Sequence, residues 1–251
     1  MSPYASLCTD FYINQKIALK LDLPTGRETV LHMFDRLRRE FPHMDRFRRY
    51  EGELALESAD ANRAYSWASL RQTSVRSGWV NPDSFEQAYR LHRLLLETAP
   101  YFLSISPLDI DHLDLVFGFD LEAERNRDQV VFDALFADSP LAGLLEGPGE
   151  SILEAQPFLG ITLDAPPSGE GTLQAFVEVK TRPKPDELHG LESLQDPISV
   201  YLTLRRVGGL RTLEESAAVF ATLAAHAERL ADSRVIPNVL APIHAVLYGG
   251  R

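Results

Sequence analysis

The sequence predicts an α+β fold, with antiparallel sheets that carry helices on one face. Three observations point there. Apolar and polar residues alternate with period two in several stretches, most cleanly in His112–Ala123. Apolar stripes with helical spacing lie between them, as at Val30, Phe34, Leu37 and Phe41. The order strand–helix–hairpin–helix is followed by strand–helix–meander–helix, which predicts two tandem ferredoxin-like or helix-grip-like halves, residues 1–105 and 106–251. The alternative is one continuous sheet running through both.

In chain order, Phe11–Leu23 reads as a half-buried strand, with Ile13, Ile17, Leu19, Leu21 and Leu23 on one face and Tyr12, Asn14 and Lys16 among the alternate positions. Thr25 and Glu28 have capping-box spacing ahead of a helix that Pro42 stops. A hairpin is expected from one strand within Phe47–Ser58 and one long strand, Tyr65–Val80. Asn81 as N-cap with Pro82 at the first helical position opens a helix that Pro100 closes. A strand at His112–Ala123, a helix from Asp128 and a short helix from Ser139-Pro140 follow. Three more strands are expected at Pro157–Asp164, Thr172–Arg182 and Pro197–Val207. A capping box at Thr212–Glu215 opens a helix to Leu230, and Pro237 and Pro242 predict a broken helix or wrapped segment after it.

The composition bounds what such a fold does. With 251 residues, 45% hydrophobic and 24% charged, the chain is long enough for a substantial core and too apolar for wholesale disorder. It has no apolar run near the roughly 18–20 residues that span a bilayer, so no membrane association is expected. The N-terminal stretch lacks a basic region followed by an apolar one, which argues against a secretory signal. The one cysteine, Cys8, excludes an intrachain disulfide and any CxxC motif. These readings place the protein in the cytoplasm. The net charge of −11 divides as +1 over residues 1–103 (14 basic, 13 acidic), −12 over 104–175 (2 basic, 14 acidic) and zero over 176–251 (9 of each). A nucleic-acid binder needs a basic footprint, so no nucleic-acid partner is expected.

The arginine- and tryptophan-rich stretch Arg46–Pro82 is the first candidate site. Alternation along a single strand Tyr65–Val80 puts Trp67, Arg71 and Trp79 on one face and Arg76 on the other. Trp67, Arg71 and Trp79 are therefore the candidate ligand-binding residues, aromatic surface beside a guanidinium that takes a carboxylate or phosphate. The competing reading, favoured for the tryptophans, is that they fill the sheet–helix core. The acidic run Asp109, Asp111, His112, Asp114 is a weaker cation candidate, because a strand sends these side chains to both sides. The glycine turn Arg205–Thr212 lacks either phosphate-loop pattern and reads as an ordinary strand-to-helix turn. The seven histidines have no zinc spacing, no nucleophile elbow is present, and neither cofactor nor metal is expected.

The helix ending Phe34-Asp35-Arg36-Leu37-Arg38-Arg39-Glu40-Phe41-Pro42, with the strand before it and the strand-to-helix step after it, resembles a group of uncharacterised bacterial proteins of about this length. The resemblance implies the element order and carries over no activity and no catalytic residue. The functional expectation is a non-enzymatic protein binding a partner protein or a small amphipathic anion. The alternatives are an enzyme of an unrecognised class with a pocket between sheet and helices, and a structural subunit of a homo-oligomer.

Overall fold

The computed structural model describes residues 3–24, 26–145, 147, 149–163, 171–181 and 197–249. Among the described residues nine strands form one antiparallel sheet. They are β1 (Asp10–Leu19), β2 (Met44–Tyr50), β3 (Glu53–Ser58), β4 (Tyr65–Arg71), β5 (Ser74–Val80), β6 (Ile110–Leu121), β7 (Phe158–Leu163), β8 (Thr172–Lys180) and β9 (Ile198–Val207). Their spatial order is β2-β3-β4-β5-β1-β6-β9-β8-β7. The first strands of the two halves, β1 and β6, pair at the centre from Asp10↔Asp120 to Leu19↔Ile110. Each half then leaves the sheet through a helix and returns as an antiparallel meander whose last strand flanks its own first strand. One continuous sheet thus joins residues 1–105 to residues 106–251.

Helices α1 (Arg27–Glu40), α2 (Phe85–Leu103), α3 (Arg127–Leu135), α4 (Glu215–Leu230) and α5 (Ala241–Tyr248) and a 3₁₀ turn (Pro140–Leu144) complete the described elements. A π-helical stretch, Ala231–Leu240, carries α4 into α5 without a break, so Pro237 and Pro242 do not end the helix there. α2 packs on β1 and β5, and α4 on β6 and β9. The core lies between these helices and one face of the sheet: Phe11, Ile13 and Ile17 of β1, Phe117 and Phe119 of β6, and Phe220 of α4 are all fully buried. Their rings stack edge-on, Phe11 to Phe117 at 5.4 Å and Tyr89 to Phe220 at 5.4 Å. Among the described residues no helix is long and apolar enough to cross a membrane.

Several expected boundaries move, each for a local reason. β1 stops at Leu19, so Leu21 points into solvent at 66% exposure instead of sharing the buried face. The long strand Tyr65–Val80 is two strands, folded back at Gln72-Thr73 with Arg71 opposite Ser74. That two-residue turn has none of the usual glycine or asparagine signals. Its carbonyls instead accept hydrogen bonds from Leu23 N (at Gln72) and Leu19 N (at Thr73), and the Gln72 amide donates to Asp22. A distant segment therefore holds the turn. Phe47–Ser58 is likewise a hairpin, β2–β3, turning at Glu51-Gly52 with Gly52 at φ +69°.

The helix caps shift as well. α2 begins after Ser84, whose hydroxyl accepts from Gln87 N, while Asn81 sits at φ 48° and bonds β1 instead. Pro100 lies within the last turns of α2. α4 begins at Glu215, with Glu214 in place of Thr212 as N-cap, and the Glu215 carboxylate accepts from Arg211 N at 3.0 Å, one residue before the predicted partner. Thr25, the predicted cap of α1, lies outside the described residues, as do the stretches 164–170 and 182–196 between the last three strands.

Candidate functional site

Among the described residues helices cover one face of the sheet only, and the other, helix-free face carries the site. The fold-back at Gln72-Thr73 reverses the parity of every residue after it. Trp79 therefore turns into the core, 6% exposed, with its ring 6.1 Å from Phe41 and 5.6 Å from His43. Arg76 moves to the helix-free face, where its guanidinium lies 5.6 Å above the half-buried Trp67 ring. Arg71 keeps to this face, next to the turn and diagonal to Arg76, but is committed to Glu53 at 2.7 Å. Of the predicted trio, the expectation that Trp79 shares a face with Trp67 and Arg71 is corrected, and Arg76 takes the place beside Trp67.

A cleft of about 550 Å³ opens at this point, lined by Tyr12 and Asn14 of β1, Tyr65 and Trp67 of β4, Arg76 of β5 and Tyr201 of β9, with Asp10, Asp60, Arg63, Val80 and Asp120 completing the wall. Two glycines set its floor. A Cβ at Gly78 would come within 2.4 Å of the Trp67 ring and 2.3 Å of Asn14 Oδ1. One at Gly118 would come within 2.1 Å of the Tyr12 ring. Each ring thus lies flat across a glycine of the next strand, the arrangement in which an aromatic covers the gap a glycine leaves. The Tyr12 and Tyr201 rings meet at 6.2 Å.

The wall is held by a polar clamp. The β3–β4 connection ends in a tight turn in which Asn62 and Arg63 have φ of 54° and 67°, and Ala61 and Ala64 exchange backbone hydrogen bonds. Positive φ at both central residues is the type I′ geometry that matches strand twist. Arg63 then reaches back to Asp10 at 2.6 Å and Glu122 at 3.1 Å, and the Asp10 hydrogen bond leads the contacts that raise its pKa. Asn81 donates to Asp10 at 2.6 Å and to Arg63 O at 3.0 Å, and accepts from Phe11 N. Asp120 accepts from Ser199 Oγ at 2.6 Å and from the Tyr12 hydroxyl at 3.2 Å. The acids of the wall are thus tied into the frame.

Two basic groups, Lys16 and Arg76, are not. Lys16 lies opposite Arg76 in the β1–β5 register. Asn81 N donates to Phe11 O, which makes the odd residues of β1 the hydrogen-bonded pairs and leaves Lys16 and Arg76 in a closer, non-hydrogen-bonded pair. Like charges so placed destabilise a sheet. Among the described residues neither makes an ion pair. Asp114 lies across from Lys16 on β6, but both its oxygens are held by Arg205, at 2.7 and 2.8 Å. Burial and then nearby Arg71 draw the Arg76 pKa below the usual arginine value. Asn14 Oδ1, on the cleft floor, is buried without a hydrogen-bond partner among the described residues.

The other sequence candidates are structural. Asp114 is buried; burial pushes its pKa up, and the hydrogen bonds from Arg205 and His112 more than reverse this. His112 is raised by its Asp114 contact despite burial, with Asp111 2.8 Å from its Nδ1. Asp109 accepts from Leu21 N. No group of three His, Cys, Asp or Glu side chains converges as a metal site among the described residues. In the glycine turn, Arg206 donates to the carbonyls of Val207 and Gly208 and so closes the turn on itself. His92 is buried in the core, 2.8 Å from Ser77 Oγ, and burial lowers its pKa to about 3.

Sequence reasoning missed Tyr12, Asn14, Tyr65 and Tyr201 as site residues, and it set Arg76, a polar group of the alternative enzyme pocket, on the face away from Trp67. The signal for the first two was present, since alternation already put them on the polar side of the first strand. Tyr201 and Arg76 needed the strand order. No protein-family model matches the chain, and a search of curated proteins finds no relative.

Proposed function

We propose that this protein is a non-enzymatic binding protein for a small amphipathic anion, held in the cleft of the helix-free face. The carrying observation is the Lys16–Arg76 pair, two basic side chains set side by side and neither in an ion pair among the described residues, at the edge of an aromatic cleft; the acids nearest them, Glu53 and Asp114, are held by Arg71 and Arg205. Placing two cations together costs stability unless a ligand supplies the counter-charge. The apolar part of that ligand lies against Trp67 and Tyr12, its anionic group on Arg76 and Lys16, and a hydrogen-bond donor on it meets Asn14. A concave aromatic surface with a few convergent polar groups is the usual form of a small-molecule site. The two halves are read as two copies of one strand–helix–meander–helix plan, with the cleft where their central strands meet. The lone Cys8 is in keeping with a cytoplasmic place of action.

Anilinonaphthalene sulfonate, an aromatic anion, is a direct probe. In a Trp79→Phe background Trp67 is the only tryptophan, so its quenching reports the cleft alone. Arg76→Ala is expected to weaken that quenching at least about tenfold, the loss of one charge-assisted contact, while Arg71→Ala, which acts only through Glu53 and Arg76, weakens it less. Equal quenching in all three proteins would reject the site. Native mass spectrometry of protein purified from its own source then reads the natural ligand directly.

A further inference from the structure

The two outermost strands, β2 and β7, differ in a way the cleft does not explain. β7 (Phe158-Leu159-Gly160-Ile161-Thr162-Leu163) has no charged residue, and Phe158 and Leu159 are each 63% exposed. Val179 N donates to Pro157 O, which assigns the odd residues of β7 to the ladder with β8. The N–H and C=O of Phe158, Gly160 and Thr162 therefore point out of the sheet, with no strand beyond them among the described residues. An apolar, exposed edge of this kind is a template for another strand. β2 (Met44–Tyr50) is the opposite. Arg46, Arg48 and Arg49 are exposed and make no ion pair among the described residues, and Phe47 and Tyr50 are about half exposed, at 49% and 52%. Asp45 and Glu51 are the nearest acids along the chain; across on β3, Glu57 opposite Arg46 accepts from the Tyr50 hydroxyl and Glu53 opposite Tyr50 is held by Arg71.

The charge around the two edges selects their partners. Residues 128–179, which contain β7, hold nine Asp or Glu and no Lys, Arg or His. Glu178 lies directly beside the edge, opposite Phe158 on β8. Pairing β7 with β7 of a second copy would bring two acidic stretches together, and pairing β2 with β2 would oppose two sets of arginines. Only β2 against β7 joins unlike charge, and it also places Phe47 and Tyr50 beside Phe158 and Leu159.

We propose that copies of this chain associate head to tail, β2 of one against β7 of the next, so that the sheet continues across the contact. Such an interface is heterologous. It closes as a ring or runs on as a filament, and it leaves the cleft, which lies between β4 and β9, open.

Two variants each disable one edge. Arg46→Glu, Arg48→Glu and Arg49→Glu together reverse the charge of β2. Thr162→Pro removes an outward N–H of β7 that the β8 ladder does not use, the position where an edge strand tolerates proline. Sedimentation velocity at about 50 mM salt is expected to show concentration-dependent association of the wild type and monomers for each variant alone. An equimolar mixture of the two should give a 1:1 dimer and nothing larger, because each supplies the edge the other lacks. Raising salt to about 500 mM should weaken that dimer at least about tenfold. Leu159→Lys, at an exposed site, replaces Thr162→Pro if the proline variant lacks a cooperative thermal transition. A wild type that stays monomeric at every concentration overturns the proposal. So does a triple-glutamate variant that still dimerises alone, which would mean β7 pairing with itself.

Discussion

The two tryptophans sit twelve residues apart on neighbouring strands, yet they belong to different chemistries. Trp79 faces the helices, packed between Phe41 and His43; Trp67 faces away from them, flat over Gly78, with a guanidinium above it. The same division runs along β5, where Val75, Ser77 and Trp79 enter the core while Arg76, Gly78 and Val80 do not. A pleated strand offers alternate residues to two environments, and here one environment rewards volume while the other rewards a shaped, charged surface. Stability should be concentrated on one face and recognition on the other.

Trp79→Ala tests the first half of that contrast and has the largest expected effect. Removing a buried indole should cost about 3–5 kcal/mol, read as a lower denaturant midpoint at unchanged slope, with no specific loss of probe binding in whatever fraction remains folded. A cost below about 1 kcal/mol would mean that Trp79 is not a core residue.

His92 gives the next effect, through pH. Burial lowers its folded pKa to about 3, against 6.5 for the free side chain. Between these values the unfolded chain binds the extra proton, so the stability contribution is complete above about pH 6.5 and is lost as pH falls. At pH 5 the loss is about 2 kcal/mol, from about 1.4 kcal/mol per pH unit. His92→Leu should remove that increment from the difference in unfolding free energy between about pH 7.5 and pH 5. The His112 contribution has the opposite sign: its raised pKa makes it complete at low pH and lost as pH rises. A pH dependence unchanged in His92→Leu would show that His92 does not carry the term.

Trp67→Ala has the smallest expected effect on stability. Its ring is half-buried against Gly78 and Asn14, with no helix above it, so the expected loss is about 1 kcal/mol, while probe binding disappears. A loss as large as that of Trp79→Ala would erase the distinction between the faces.

Much of this fold was legible in advance. Alternation located β1, β6 and the three C-terminal strands, and helical spacing located α1, α2 and α4. The helix-free side of β1, with Tyr12, Asn14 and Lys16, could also be read from the pattern. The hairpin between Ser58 and Tyr65 could be read too, but the fold-backs inside its two arms could not. Arg71-Gln72-Thr73-Ser74 contains no glycine, proline, asparagine or aspartate to signal a turn, and the Gln72 and Thr73 carbonyls are satisfied by Leu23 and Leu19, some fifty residues earlier. One unread turn was enough to put Trp79 on the wrong face and Arg76 off the right one, because a shift of parity exchanges every later side chain between faces. Asn81 misled for a related reason: a good N-cap by type, it is used instead to bind β1 and Asp10.

Local pattern alone determined that this chain forms antiparallel strands and covering helices, because propensity and periodicity act within a few residues. It also determined the charge asymmetry, −12 in the middle against +1 before it. Strand order and pairing decided the rest. Only the β1–β5 register sets Lys16 beside Arg76, and only the β1–β6–β9 order brings Tyr12 to Tyr201. The same order leaves β2 and β7 as the edges. These are juxtapositions of residues far apart in the chain, fixed by hydrogen-bonded ladders that no single segment specifies.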